Sequence, residues 1–204
     1  MPAINRRRLI VAAGALAASP AFAQTAGPQP ARPRVRIETD KGVIVVELAT
    51  DKAPITAGNF LRYVDSRRMD GAIFYRTVHA PGAPTVGFLQ AHITDGAKLY
   101  PPITHEPTTT TGLKHLEGAL SAPRFAPGTA QSEFTILSSD APHMDANPAA
   151  PGDNLGYAVF GQVVEGMDVV RAIMVLPADG PADNPVMQGQ ILTTPVRIIT
   201  ARRG

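Results

Sequence analysis

The chain has 204 residues, 44% hydrophobic and 18% charged, which fits one globular domain with length enough to bury a core and excludes a disordered chain. The formal net charge of +2 is too small to imply a nucleic-acid partner. Cysteine is absent, so neither a disulfide nor a cysteine-linked lipid anchor is available.

Residues 1–23 read as a secretory signal peptide. Arg6, Arg7 and Arg8 form a basic head, Leu9 to Ala18 an apolar run, and Ala21-Phe22-Ala23 a small-x-small cleavage site before Gln24. The run is too short for a good membrane span. The string Arg6-Arg7-Arg8-Leu9-Ile10 suits the twin-arginine export route as well as the general one. Cleavage would leave a periplasmic or secreted protein with no stable membrane association; an uncleaved signal would leave a tether. The head carries three arginines and no acid, so the rest of the chain holds 16 basic against 17 acidic residues, a net charge of about −1.

Residues 24–33 (QTAGPQPARP) form a Pro-rich flexible lead, and 34–204 are expected to be the folded domain. Arg34–Thr39 alternates as a half-buried strand does. Lys41-Gly42 makes a turn and Val43–Leu48 returns, giving a hairpin. From Asp51 to Asp65 the period changes to a helical one, with Ile55, Phe60, Leu61 and Val64 on one face and Pro54 in the first turn. Ala72–Val78 and Val86–His92 are the next strands. Pro101–Gly118, with threonine at 108–111, reads mainly as loop. Ala119–Pro123, Phe134–Leu137 and Tyr157–Val164 read as short strands, Gly166–Val175 as a helix with Val169, Val170 and Ile173 inward, and Val196–Thr200 as a closing strand. Two long loops, Asp140–Asn154 and Pro177–Gln190, separate these elements. Many short antiparallel-type strands with only two helices suggest a closed barrel, which leaves no exposed strand edge.

Within this pattern one residue stands out. Arg76 lies inside an apolar, β-prone run (Ala72-Ile73-Phe74-Tyr75, then Thr77-Val78). Arginine is costly to bury and keeps its charge in a protein, so spacing alone leaves it either a solvated edge residue or a donor aimed into a groove.

Four segments, GVIVVELATDKAPITAGNFLRYV (42–64), GAIFYR (71–76), PGTAQSEFTI (127–136) and GYAVFGQVVEGMDVV (156–170), occur in an order and at a spacing that resemble the cyclophilin peptidyl-prolyl cis/trans isomerases. The resemblance runs from about Val35 to Thr200. It implies a mainly β fold, a closed eight-stranded antiparallel barrel capped by two α-helices, with the substrate groove on its outer wall. It also implies isomerisation of X–Pro bonds, without covalent chemistry and without a cofactor; joined to the signal-peptide reading, the expected clients are exported proteins. The implied partners are proline-containing polypeptides, and the implied state is a monomer.

By the same resemblance Arg76 matches the catalytic arginine and Gln90 the glutamine that orients it. Glu133 falls where glutamine is common; it would pin the Arg76 guanidinium or stand as a solvated strand carboxylate. Phe88 matches a proline-pocket residue, but only Leu89 separates it from Gln90 where the family has two residues. Because strand side chains alternate faces, Phe88 takes the place of the next pocket hydrophobe or a bulge restores the register; Leu89 is counted with the pocket. Thr135 replaces a second pocket aromatic. Ala122-Pro123-Arg124 replaces Met-Ala-Asn or Met-Ala-Arg, and Pro123 lacks an N–H for substrate. His143-Met144 stands for an aromatic-Leu pair, and Tyr157 for a histidine or tyrosine.

The five histidines (79, 92, 105, 115, 143) show no tight metal-ligand spacing, so no metal is expected. No phosphate loop or nucleophile elbow is present. The rival reading is a proline-peptide binding module or holdase with weak or no isomerase activity. Thr135 and Pro123 favour it, as would an Arg76 tied up by Glu133; Arg76, Gln90 and Phe88 oppose it.

Overall fold

The computed structural model describes residues 31–204; the signal-peptide segment and most of the Pro-rich lead lie outside the described residues. Eight strands are ordered β1 Arg34–Thr39, β2 Gly42–Leu48, β3 Ile73–Ala80, β4 Ala83–His92, β5 Ala119–Ala122, β6 Phe134–Leu137, β7 Ala158–Glu165 and β8 Ile191–Arg203. They close into a barrel in the order β1-β2-β7-β5-β6-β4-β3-β8, antiparallel at every joint. No edge is left to recruit another chain.

The interior follows from alternation. In β1, Val35, Ile37 and Thr39 point inward while Arg34, Arg36 and Glu38 face solvent. In β2, Ile44, Val46 and Leu48 are fully buried. Phe74, Phe134 and Phe160 fill the centre, and Phe60 packs edge-on to Phe134 at 5.2 Å.

Helix α1 (Pro54–Asp65) lies over β7 and β8, and α3 (Met167–Met174) over β2, β3 and β4. The helix pattern holds for Phe60, Leu61 and Val64, but Ile55 is 43% exposed. The first turn of α1 buries Ala57 in the core and meets the 101–118 segment through Ile55 and Thr56. Ala53 supplies no side-chain cap there. Glu106 supplies it from 50 residues away: Oε1 accepts from Ile55 N–H at 3.1 Å, and Oε2 accepts from Thr56 N–H at 2.7 Å and Thr56 Oγ1 at 2.6 Å. A carboxylate on the exposed N–H groups of a helix start satisfies both hydrogen bonding and the helix dipole.

The threonine run differs from expectation, since Thr108–Thr111 forms a single helical turn, α2, ended by Gly112 in the left-handed region. Buried Thr108 donates nothing to its own turn; its Oγ1 accepts from Ala146 N–H at 2.8 Å and anchors the base of the long 140–154 loop. That loop is stapled at its neck by Asn147 N–H to Asn154 O (3.0 Å) and Tyr157 N–H to Met144 O (3.0 Å). Gly156, at φ +58°, sits in that neck, where a Cβ would come within 2.5 Å of Met144 O.

Candidate active site

The outer wall formed by β3, β4, β5 and β6 carries a cavity of about 640 Å³. Arg76 reaches it because β3 is irregular. Pairing with β4 and with β8 shifts register between Phe74 and Arg76 in both ladders. In a regular strand these two would share a face; the extra residue, Tyr75, turns Arg76 outward while Phe74 stays in the core. The opposing strand stays regular: Leu89 and Ala91 are fully buried in the barrel, and Phe88 and Gln90 line the cavity. So Phe88 shares the face of Gln90, and the shortened spacing is met without a bulge in β4 there. Gly87 sits at φ +147°, with a Cβ position only 1.9 Å from Val78 O, so no side chain fits at that joint.

Arg76 is held by neutral acceptors. Its Nε and Nη2 donate to Gln190 Oε1 at 2.9 and 2.6 Å, and its Nη1 donates to Gln90 Oε1 at 3.0 Å. Glu133 does not touch the guanidinium. It accepts from Gln90 Nε2 at 2.7 Å and so orients the amide whose oxygen faces Arg76. Guanidinium carries five N–H donors, so two remain uncommitted among the described residues, and no carboxylate pairs with the charge directly. The Phe88 ring lies 5.7 Å from the guanidinium carbon.

Of the residues singled out from the sequence, Arg76, Gln90, Phe88, Pro123, Arg124, Glu133, Thr135, His143, Met144 and Tyr157 all line this cavity. Leu89 does not; it faces the barrel interior. Thr135 is 2% exposed, with its hydroxyl 3.3 Å from Ser121 O. Sequence reading missed Gln190, and also Tyr75, His92, Phe125 and Met187 on the cavity wall. The Tyr75 and His92 rings stack at 4.4 Å. Burial, with the Glu133 charge adding to it, pushes the Tyr75 hydroxyl up to about 12, so it stays protonated at any working pH. For Phe125 a signal existed: a lone aromatic in a Pro/Gly loop. Gln190 left none.

Behind the floor runs a chain of three side chains. His115 Nδ1 lies 2.7 Å from Asp145 Oδ1, and its Nε2 lies 2.8 Å from Ser121 Oγ. Ser121 is fully buried and paired on both sides within the sheet, so this arrangement braces the floor and presents no nucleophile. Burial outweighs the Asp145 carboxylate and lowers the His115 pKa below its ordinary 6.5; burial also lowers His92 and His105. The unfolded chain therefore takes up protons more readily than the folded one, and stability present above about pH 6.5 drains as pH falls. The depressed carboxyls of Asp51, Asp65 and Asp70 act only near and below their ordinary 3.8. Urea midpoints at pH 7.5 and 5.5 should show the lower value at 5.5, and His115→Asn should narrow the gap. An unchanged gap would remove His115 from that account.

The family model for cyclophilin type peptidyl-prolyl cis-trans isomerase/CLD matches residues 34–198, which span every strand but the end of β8. The chain belongs to the cyclophilin family. This cyclophilin is 33% identical over 198 residues to a peptidyl-prolyl cis-trans isomerase of Acinetobacter baylyi, covering 97% of this chain and 95% of that one. It is 33% identical to peptidyl-prolyl cis-trans isomerase A of Dickeya dadantii, covering 81% and 82%. Among solved structures, a cyclophilin type isomerase of Cryptosporidium parvum, crystallised in the presence of the dipeptide Ala-Pro, superposes with a TM-score of 0.66 at 20% identity, covering 84% of this chain and 98% of that one. That last likeness concerns the fold. Among the described residues no helix is long and apolar enough to cross a membrane, and no group of three or more potential metal-ligating side chains gathers.

Proposed function

We infer that this cyclophilin is a peptidyl-prolyl cis/trans isomerase acting on proline-containing segments of exported polypeptides. The observation that carries the reading is Arg76: a permanent charge aimed into an open cavity, fixed by two amides, with two N–H donors left for substrate. Rotation about an X–Pro bond crosses a barrier of roughly 18–20 kcal/mol because resonance must be broken. Catalysis then requires tighter binding of the twisted amide than of either planar form. Twisting localises the lone pair on the proline nitrogen, and a guanidinium N–H beside that nitrogen stabilises it. Phe88, Met144 and Tyr157 offer apolar surface for the proline ring, and the carbonyl side swings past Gln90. No bond forms or breaks.

The rival binding-module reading tolerates an Arg76 tied up by Glu133, whereas Glu133 bonds Gln90 instead; Thr135 and Pro123 remain the features that favour it. The test is a protease-coupled assay on Ala-Pro and Leu-Pro tetrapeptides with the chain from Gln24. Turnover well above background supports the isomerase; none from folded protein leaves only binding. The exported setting and the monomeric state rest on the sequence of residues 1–23 and on family likeness. N-terminal sequencing of the protein recovered from the host's periplasm or medium tests the first, with Gln24 expected, and light scattering the second.

The pocket floor offers one more expected result. Thr135 presents a small polar side chain to the cavity. Thr135→Phe adds apolar surface against proline, worth about 1 kcal/mol after loss of the hydroxyl contact. The Michaelis constant for Ala-Pro peptides should fall roughly fivefold. A folded variant with no gain would show that proline does not reach this wall.

A further inference from the structure

A second cavity, of about 490 Å³, opens beside the first and is built by the long 140–154 loop. The two share Arg124, Phe125, His143 and Tyr157 as a common wall. Resting on the isomerase reading, we propose that this cavity is a second subsite for the client polypeptide, taking a large apolar or aromatic side chain a few residues from the isomerising proline.

Three observations converge on it. The first is continuity: a chain lying in the first cavity and running past the shared wall enters the second. The second is that the cavity is preformed. Arg124, with its side chain 5% exposed, clamps the loop by a bidentate pair to Asp153 at 2.7 and 2.8 Å and a bond to Gly156 O at 2.9 Å. The neck staples and the Thr108 anchor hold the loop's base, and His105 Nε2 lies 3.1 Å from Leu155 O. A loop already ordered adds little entropic cost to binding.

The third concerns chemistry. At the shared rim the Phe125 side chain stands 97% exposed, a large apolar surface left in water. Pro142, Ala150 and Pro151 add apolar lining beyond it. Both carboxylates of the cavity are engaged, Asp153 by Arg124 and Asp145 by His115 and Lys114. The site therefore favours an uncharged apolar guest over a cationic one. A volume of this size accommodates a phenyl group within the ordinary range of ligand pockets.

The test uses alanine-based decapeptides with one central proline and either Phe, Lys or Ala placed two to four positions from it, on each side in turn. Isomer exchange is followed by NMR exchange spectroscopy, which leaves the longer peptide uncut. On one side of the proline, the Phe decapeptide should be turned over about tenfold more efficiently than the Ala one, and the Lys decapeptide no better than Ala. Ala150→Trp fills the second cavity from a residue that does not line the first; it should erase the Phe advantage while changing turnover of an Ala-Pro tetrapeptide less than twofold. Asn147→Trp, on another part of the same lining, serves if the first variant does not fold. Equal rates for Phe and Ala peptides, a Lys peptide that outperforms Phe, or a Phe advantage that survives both fillings would overturn the proposal. If no peptide is turned over at all, the isomerase reading fails by itself. Calorimetric titration of the Phe decapeptide, weakened or not by Ala150→Trp, then still decides whether the second cavity binds.

Discussion

Arg76→Ala should lower kcat/KM on Ala-Pro and Leu-Pro peptides by 100-fold or more, while thermal unfolding and far-UV circular dichroism stay close to those of the parent. The fall corresponds to about 3 kcal/mol, the usual cost of deleting a preorganised donor aimed at developing charge. The fold should tolerate it because Arg76 points out of the barrel, where its contacts are the amides of Gln90 and Gln190 and the Phe88 ring, not the barrel core. Arg76→Lys should restore little, since one ammonium cannot span Gln190 and Gln90 at once. Gln190→Ala gives a graded version of the same loss, because it removes two of the three bonds that fix the guanidinium. Its effect should fall mainly on kcat. Parent-like turnover in Arg76→Ala would end the mechanism.

Glu106→Ala should be the most damaging single change to stability among the polar residues, lowering the unfolding free energy by about 3 kcal/mol in urea titration. The carboxylate is 9% exposed and accepts three hydrogen bonds at the start of α1. Its removal leaves two backbone N–H groups and a buried hydroxyl unpaired, and a helix start without a cap costs about 1 kcal/mol even when exposed. Glu106→Gln should recover part of the loss, since an amide oxygen still accepts but carries no charge for the helix dipole. Loss under 1 kcal/mol in the alanine variant would mean water replaces the carboxylate there. Activity measured well below the unfolding transition should be little changed, as Glu106 stands apart from the cavity lining.

Local periodicity carried much of the barrel. The alternation of Val35, Ile37 and Thr39 against Arg34, Arg36 and Glu38 is visible in six residues, and the same strand is found in space. Phe134–Leu137 reads equally directly. What escaped is what joins distant parts of the chain. Gln190 meets Arg76 across 114 positions and Glu106 caps a helix 50 positions upstream; neither leaves a mark on its own neighbours. In isolation the pair His105-Glu106 is no more than a weak metal-ligand signal. The bulge at Tyr75 was hidden for another reason. The run Ile73–Val78 is β-prone throughout, and only pairing with two neighbours reveals where an extra residue is absorbed. Family likeness named most of the cavity wall, yet Leu89, counted with the pocket, lies inside the barrel as strand alternation requires. Likeness also made Glu133 a partner of Arg76, whereas the longer route through Gln90 satisfies both groups.

Strand β8 joins β1 on one side and β3 on the other, and Gln190 immediately precedes it. Seven strands without it make an open sheet with two unpaired edges, which is the condition most prone to aggregation. They also leave Arg76 without two of its three hydrogen bonds, both made to Gln190. Pairing Val35 with Arg203 spans nearly the whole domain, and such distant contacts form slowly. Until the last strand pairs, the chain is therefore both vulnerable and unready. One closing event seals the edges and completes the arginine's setting together, so the protein becomes a folding catalyst only once its own folding is finished.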